Sequence, residues 1–229
     1  MLNWVDMFEN PAKVAAIVPA LNEEGTIGAV VNVLSHSPLV DEVIVVSDGS
    51  IDGTVQRARQ AGATRIIEHE RTRGKGRALL SGLAATRAPI VAFFDADLLG
   101  LTLQHVEQVI SPVFYGARDM NVGQRDKGPI ITPITRYLPL ISGERALKRE
   151  IIESIRPFHL EGFMVETALN YYCRVHGLRY GSVILKRLTI KHKPQKVGWW
   201  LGILGYIEMT LQVIAAMLLV RVARLVGRF

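Results

Sequence analysis

Pro89-Ile-Val-Ala-Phe-Phe94 runs directly into Asp95-Ala96-Asp97, and Leu98-Leu99-Gly100 follows. The apolar run has the length and bounds of a buried strand. Carboxylates at the carboxyl end of such a strand project into the crevice where open α/β sheets bind ligands. Two of them, separated by one residue, suit a hard divalent cation that takes a few carboxylates and fills its shell with the oxygens of a diphosphate. An Asp-x-Asp after a strand is common, so its meaning rests on what the strands upstream deliver.

Upstream, strands alternate with helices of about ten residues. Lys13–Val18 reads as a strand and Glu24–Leu34 as a helix; Asp41–Val46 is a second strand and Ile51–Ala61 its helix; Thr64–Glu68 is a third strand and Gly74–Thr86 its helix. The pattern predicts an α/β fold, a mostly parallel sheet with helices on both faces. The second half is less regular. Met120–Gly123 reads as a strand, Arg125–Pro139 with its three prolines as a mobile loop, Ala146–Ile155 and Val165–His176 as helices, and Ser182–Ile190 as a late strand.

Composition narrows the function classes. A chain of 229 residues that is 49% hydrophobic can bury a full core and fits one domain with an appendage. The lone Cys173 excludes a disulfide framework, and Met1–Phe8, with Asn3 and Asp6, does not read as a secretory signal, which points to the cytoplasm. The net charge of +6 suggests anionic partners. Aromatic residues are only 7% and no basic stripe is interleaved with them, which argues against nucleic acid.

Three more features lie at strand ends. Pro19-Ala-Leu-Asn22-Glu23-Glu24 stops a ladder and opens a helix, and Asn22 with the glutamates also reads as N-capping. Ser47-Asp48-Gly49-Ser50-Ile51-Asp52-Gly53-Thr54 is either a cap-rich turn or a place where Asp48 accepts from a nucleobase or ribose. Arg71-Thr72-Arg73-Gly74-Lys75-Gly76-Arg77 is either a solvated loop or a cationic nest for phosphate at a helix start.

In order along the chain, Pro19-Ala-Leu-Asn-Glu-Glu24, Ser47-Asp-Gly-Ser-x-Asp-Gly-Thr54, Gly74-Lys-Gly-x-Ala-Leu79 and Asp95-x-Asp97 resemble the nucleotide-sugar glycosyltransferases of the GT-A fold. The nearest resemblance is to the polyprenyl-phosphate (dolichol-phosphate) sugar transferases and the glucosyl-3-phosphoglycerate synthases. It covers residues 13 to 100 strongly, then continues more weakly through Gly143-Glu144-Arg145, Gly162-Phe-Met-Val-Glu166 and Ile190-Lys-His192. The resemblance implies that Pro19, Ala20, Leu21 and Glu23 line the base and ribose and that Asp48 contacts the base. It further implies that Lys75 faces phosphate, that Asp95 and Ala96 contact the ribose, and that Asp97 and His192 hold Mg²⁺ or Mn²⁺. His192 between two lysines also reads as a surface residue. Glu166 is the candidate catalytic base for a hydroxyl acceptor, and it also reads as a first-turn helix carboxylate. Arg136, Gly143, Glu144 and Arg145 are candidates for the acceptor, with Arg125 and Lys127 in the same loop.

The tail is the second informative region. Val197–Val220 carries one formal charge, Glu208, and is long enough to span a bilayer, with Trp199 and Trp200 at one end. Gly198, Gly202, Gly205, Glu208, Gln212 and Ala215 form a small-and-polar stripe, so an interfacial helix, a helix packed on a partner copy or a buried core helix are the alternatives. The expected organisation is a GT-A domain over 1–195 and a C-terminal apolar helix over 196–229. The expected reaction is metal-dependent transfer of a hexose from a UDP- or GDP-sugar to a phosphate-bearing acceptor. Polyprenyl phosphate at the inner face of the cell membrane is the first choice and soluble 3-phosphoglycerate the alternative. A sugar-phosphate nucleotidyltransferase is the remaining reading, but Pro19-Ala-Leu-Asn-Glu stands where that class carries a Gly-rich loop.

Overall fold

A computed structural model describes residues 13–126, 142–155 and 164–190. The three predicted strand–helix units are present as β1 (Val14–Ala20), α1 (Ile27–Ser35), β2 (Glu42–Ser47), α2 (Thr54–Gln60), β3 (Arg65–Glu68) and α3 (Lys75–Ala84). Then come β4 (Ile90–Phe93), β5 (Leu98–Leu99), α4 (Leu103–Phe114), β6 (Met120–Arg125), β7 (Arg145–Lys148), α5 (Arg149–Glu153), α6 (Met164–Val175), β8 (Tyr180–Leu185) and β9 (Thr189–Ile190). Seven strands form one sheet in the order β3-β2-β1-β4-β7-β6-β8, and β5 pairs with β9 in a small second sheet.

The sheet is parallel through β3, β2, β1 and β4, in register at Ile17↔Ile44 and Ile17↔Phe93. β7 enters antiparallel between β4 and β6. Alternate side chains of each strand feed two cores. Val14, Ala16, Val18, Val43, Val45 and Ala92 pack with α1, α2 and α4 on one face. Ala15, Ile17, Ile44, Val46, Val91 and Phe93 pack with α3, α5 and α6 on the other. Strands buried on both faces explain why β1, β2 and β4 read as unbroken apolar runs. Gly82 lets α3 lie close to the sheet, because a Cβ there would strike Ile17 and Val46.

Three segments differ from the sequence reading. Ala146–Ile155 is not one helix: Ala146 and Leu147 belong to β7 and bury on opposite faces of the sheet, and only Arg149–Glu153 is helical. The late strand is two, broken where Arg187 takes the left-handed conformation (φ 64°) in the turn between β8 and β9. Helix α4 was not anticipated. The side chain of Thr102 accepts from the His105 N–H at its start, and Val106, Val109, Ile110 and Val113 bury a helical stripe.

Away from the carboxyl ends of the strands, Asp119 ties three elements together. Its Oδ1 lies 2.9 Å from Lys148 Nζ and 3.0 Å from Arg179 Nη2, and its Oδ2 accepts from the Arg179 backbone N–H at 2.9 Å. The Arg179 side-chain bonds, against some burial and aided by Lys148, hold this carboxyl well below the usual range. A depressed carboxyl adds stability above its unfolded pKa and loses it as pH falls. Asp119→Asn is therefore expected to cost about 1.5–3 kcal/mol of unfolding free energy near pH 7. The gap to wild type should narrow in urea titrations below about pH 4, near the unfolded carboxyl pKa. A constant gap across pH would show that ionisation of Asp119 is not its source.

Candidate active site

The carboxyl ends of β1, β2 and β4 open on a cleft of about 500 Å³. Its walls are Pro19, Ala20, Leu21 and Glu23 after β1, Asp48 after β2, Thr72, Gly74, Lys75 and Ala78 around the start of α3, and Asp95, Ala96 and Asp97 after β4. Nine residues singled out in the sequence thus meet in one cavity: Pro19, Ala20, Leu21, Glu23, Asp48, Lys75, Asp95, Ala96 and Asp97.

The first two walls are laced to each other. Asn22, in the left-handed conformation at φ 55°, accepts from the Ile51 N–H and its own N–H donates to Ser50 Oγ. The Glu23 N–H donates to Thr54 Oγ1 at 2.8 Å, the Glu24 N–H to Asp52, and Glu24 Oε2 accepts from the Gly53 N–H at 2.9 Å. The polar residues of the two strand-end motifs therefore largely satisfy one another's backbone. That is the capping reading of Asn22 and Glu24, acting across two loops rather than within one helix. It also fixes the stretch from Pro19 to Glu23 against the cleft.

Asp48 is buried and accepts three hydrogen bonds: His69 Nδ1 at 2.7 Å, the Arg73 N–H at 2.9 Å and the Gly74 N–H at 2.8 Å. Burial alone would raise its pKa, but the His69 bond and the two backbone bonds outweigh it and hold the carboxyl below its ordinary value. The two readings of Asp48 coincide in space, since it braces a turn and faces the cleft. His69 was missed. It carries no local signal, because its partner is 21 residues away in the chain.

Lys75 opens α3 and reaches across the cleft floor, with Nζ 2.7 Å from Asp95 Oδ1 and 3.4 Å from Glu166 Oε1. Burial opposes its charge, yet the Asp95 and Glu166 carboxylates outweigh burial and hold the ammonium above the ordinary lysine range. Glu166 is 5% exposed and does not line the cleft; it sits behind Lys75, with Oε2 making no hydrogen bond among the described residues.

The weaker motif Gly143-Glu144-Arg145 is not a surface loop. Glu144 and Arg145 are buried, and the Arg145 guanidinium donates through Nε and Nη2 to the Ser142 carbonyl at 3.2 and 2.6 Å. Arg145 therefore lies buried in β7, not in the loop after β6 where the sequence reading put it. Glu144 accepts from Ser142 Oγ, and burial, then Asp95, push its carboxyl up. Gly143 packs against Asp95, since a Cβ on it would overlap that carboxylate. Arg125, at the end of β6, is half-buried and its charge reaches both Asp97 and Glu144. Lys127, Arg136, His192 and Val197–Val220 lie outside the described residues.

The donor set fits a divalent cation. Burial, followed by the nearby Asp95 and Glu23 carboxylates, pushes the Asp97 carboxyl up, the mark of negative charge crowded at one point. Oxygen ligands at such a point suit Mg²⁺ or Mn²⁺. No three His, Cys, Asp or Glu side chains converge on a metal position among the described residues. β9, however, pairs Ile190 with Leu98, the neighbour of Asp97, and His192 is two residues further along the sequence.

Comparison with known proteins matches residues 15–173 to the model of glycosyl transferase family 2. The chain belongs to that family. Its sheet is the GT-A fold: the crystal structure of glucosyl-3-phosphoglycerate synthase from Mycobacterium tuberculosis with Mn²⁺, UDP and glucosyl-3-phosphoglycerate superposes with a TM-score of 0.73 at 31% identity, over 90% of this chain and 79% of that one. The same enzyme with Mg²⁺ and UDP gives 0.73 at 30% identity, over 90% and 78%. In sequence, glucosyl-3-phosphoglycerate synthase from Mycolicibacterium paratuberculosis is 34% identical over 194 residues, 68% of this chain. The chain spans 58% of the length of that relative. Among the described residues no helix is long and apolar enough to cross a membrane.

Proposed function

We propose that this chain transfers glucose from UDP-glucose to 3-phosphoglycerate or a closely similar small phosphorylated hydroxy acid, with Mn²⁺ or Mg²⁺. The observation that carries the reading is the likeness, at 31% identity over 90% of the chain, to a synthase crystallised with Mn²⁺, UDP-glucose and phosphoglyceric acid. The polyprenyl phosphate expected at a membrane face gives way to the soluble acceptor, because the relatives that match over two thirds of the chain carry the phosphoglycerate name. A soluble acceptor also removes the need for a membrane surface.

The chain's own residues divide the work. The backbone from Pro19 to Leu21 and the side chains of Glu23 and Asp48 form the wall for the nucleoside. Asp97, with His192 two residues past β9 in the sequence, would hold the cation, which when bound neutralises charge growing on the leaving diphosphate. Lys75 places a permanent positive charge at the same end of the cleft, and Asp95 fixes where that charge sits. Glu166 steadies Lys75 from behind, and its second oxygen makes no hydrogen bond among the described residues. A hydroxyl acceptor must lose its proton as the new bond to the anomeric carbon forms, and Glu166 is the candidate to take it once Lys75 turns aside to the diphosphate and opens the way to it.

The test is direct. Purified full-length protein with Mn²⁺, UDP-glucose and 3-phosphoglycerate is expected to release UDP and form a glucosylated product of the corresponding mass. UDP release with polyprenyl phosphate in vesicles, and none with phosphoglycerate, would restore the lipid acceptor. No turnover of UDP- or GDP-sugars with either acceptor would remove the reading.

A further inference from the structure

We propose that His69 is a positioning residue that acts through Asp48 to hold the Arg71–Gly74 turn as one wall of the cleft. The inference deepens the nucleotide-sugar reading and rests on it for its effect on turnover. His69 does not line the cleft. Its ring is clamped at both ends, with Nδ1 2.7 Å from Asp48 Oδ1 and Nε2 2.9 Å from Ser81 Oγ. The His69 and Asp48 side chains are each only 6% exposed. A neutral imidazole has one donor and one acceptor nitrogen. Beside a carboxylate Nδ1 carries the hydrogen, which leaves Nε2 to accept from the Ser81 hydroxyl; this tautomer is assigned from the hydrogen-bond network.

The consequence passes through Asp48. A carboxylate offers about four acceptor positions. His69 and the Arg73 N–H take those on Oδ1, and the Gly74 N–H takes one on Oδ2. His69 thereby sets the rotation of the carboxylate about its own axis. That rotation decides whether both backbone N–H groups are met at once and where the last acceptor position points. The turn so held lies directly on the loop after β2, because a Cβ on Gly49 (φ +79°) would overlap the backbone of Arg71 and Thr72. Its end, Gly74 at φ +92°, makes the left-handed step that starts α3 at Lys75. Thr72, Gly74 and Lys75 are cleft residues. Loss of the imidazole is thus expected to loosen the nucleotide wall while leaving the Asp97 end untouched.

Two measurements on the full chain separate this inference from the function it serves. In ligand-free protein, His69→Ala should speed hydrogen exchange of the Arg73 and Gly74 amides by about tenfold, the scale of one charge-assisted hydrogen bond. In calorimetry with Mn²⁺ and UDP, the same variant should weaken UDP by about tenfold, and KM for UDP-glucose should rise while kcat stays within about threefold. His69→Asn places an amide N–H near the Nδ1 position and should recover most of the loss; His69→Gln, whose amide reaches the Nε2 position, should not. Should His69→Ala fail to fold, the Asn and Gln pair carries the test. Equal exchange of the two amides in wild type and His69→Gln would overturn the inference, whatever UDP does. Faster exchange in His69→Gln with no UDP binding even by wild type would keep the latch and remove the nucleotide-sugar reading instead.

Discussion

Asp97→Ala is expected to abolish sugar transfer and the Mn²⁺-dependent part of UDP affinity, and to leave the folded protein as stable as wild type or more so. The two halves of this expectation have one cause. Asp97 is held in a half-buried position beside two other carboxylates, Asp95 and Glu23, and its carboxyl is pushed up by burial first and then by them. A carboxyl raised in the fold favours the protonated form, so its contribution to stability is present at low pH and declines as pH rises through the folded value. Near neutral pH the ionised group therefore works against folding until a cation arrives. Removing it relieves repulsion but takes away the anchor for the charge that stabilises the leaving diphosphate. Loss of one such electrostatic element is worth about 10²–10³ in rate, and more when it also holds the metal. A thermal melt separates the pieces. Mn²⁺ in excess over its Kd should raise the wild-type midpoint by mass action and leave Asp97→Ala unmoved. Equal Mn²⁺ stabilisation of both proteins would place the cation elsewhere, and full activity of the variant would remove Asp97 from the chemistry.

The architecture was legible wherever a segment was decided by its own neighbours. Strands β1, β2 and β4 bury both faces, so their apolar runs appear directly in the sequence, and the polar residues that end them mark the cleft. What local pattern does not carry is pairing at a distance. Arg145-Ala-Leu-Lys148 has helix-forming residues and flows into the true helix Arg149–Glu153, yet long-range pairing with β4 and β6 makes it a strand. The stripe of Val106, Val109, Ile110 and Val113 was readable at helical spacing, though Pro112 interrupts the pattern without breaking the helix. In the site, the residues that face the cleft were visible as motifs at strand ends. Those that brace them were not: His69 and Ser81 act across the fold through Asp48. Glu166 was visible as a residue, but not its pairing with Lys75 from 91 residues away. Gly143, Glu144 and Arg145 stood out in the sequence, but not their burial: Gly143 packs on Asp95, and Glu144 and Arg145 support the acidic end of the cleft from within the fold.

That support yields the second large effect. Gly143→Ala adds one methyl group at a residue whose backbone is not left-handed, so the substitution carries no conformational penalty of its own. The new Cβ would nonetheless overlap both oxygens of Asp95, at distances real Cβ atoms do not show. Either the Ser142–Arg145 backbone or the carboxylate must move. The backbone is held by β7, by the ladder to β4 at Phe93↔Arg145, and by the Arg145 guanidinium bonded back to Ser142. The carboxylate is a side-chain end held mainly by Lys75 at 2.7 Å. It is the softer partner and should turn away, taking with it the contact that fixes Lys75. Overpacking of this kind costs about 1–3 kcal/mol of stability, which a domain of this size can bear. Activity has no such margin, because a displacement of about 1 Å in a positioned charge is enough for a 10²-fold loss. Gly143→Ala is therefore expected to fold, to retain nucleotide binding within about tenfold, and to lose at least about 10²-fold in kcat. The companion Asp95→Ala, Gly143→Ala should be no slower than Asp95→Ala alone, since the methyl group then has nothing to displace. A double variant slower than Asp95→Ala by the full Gly143 factor would mean that Gly143 acts on the acceptor directly, as the sequence reading has it.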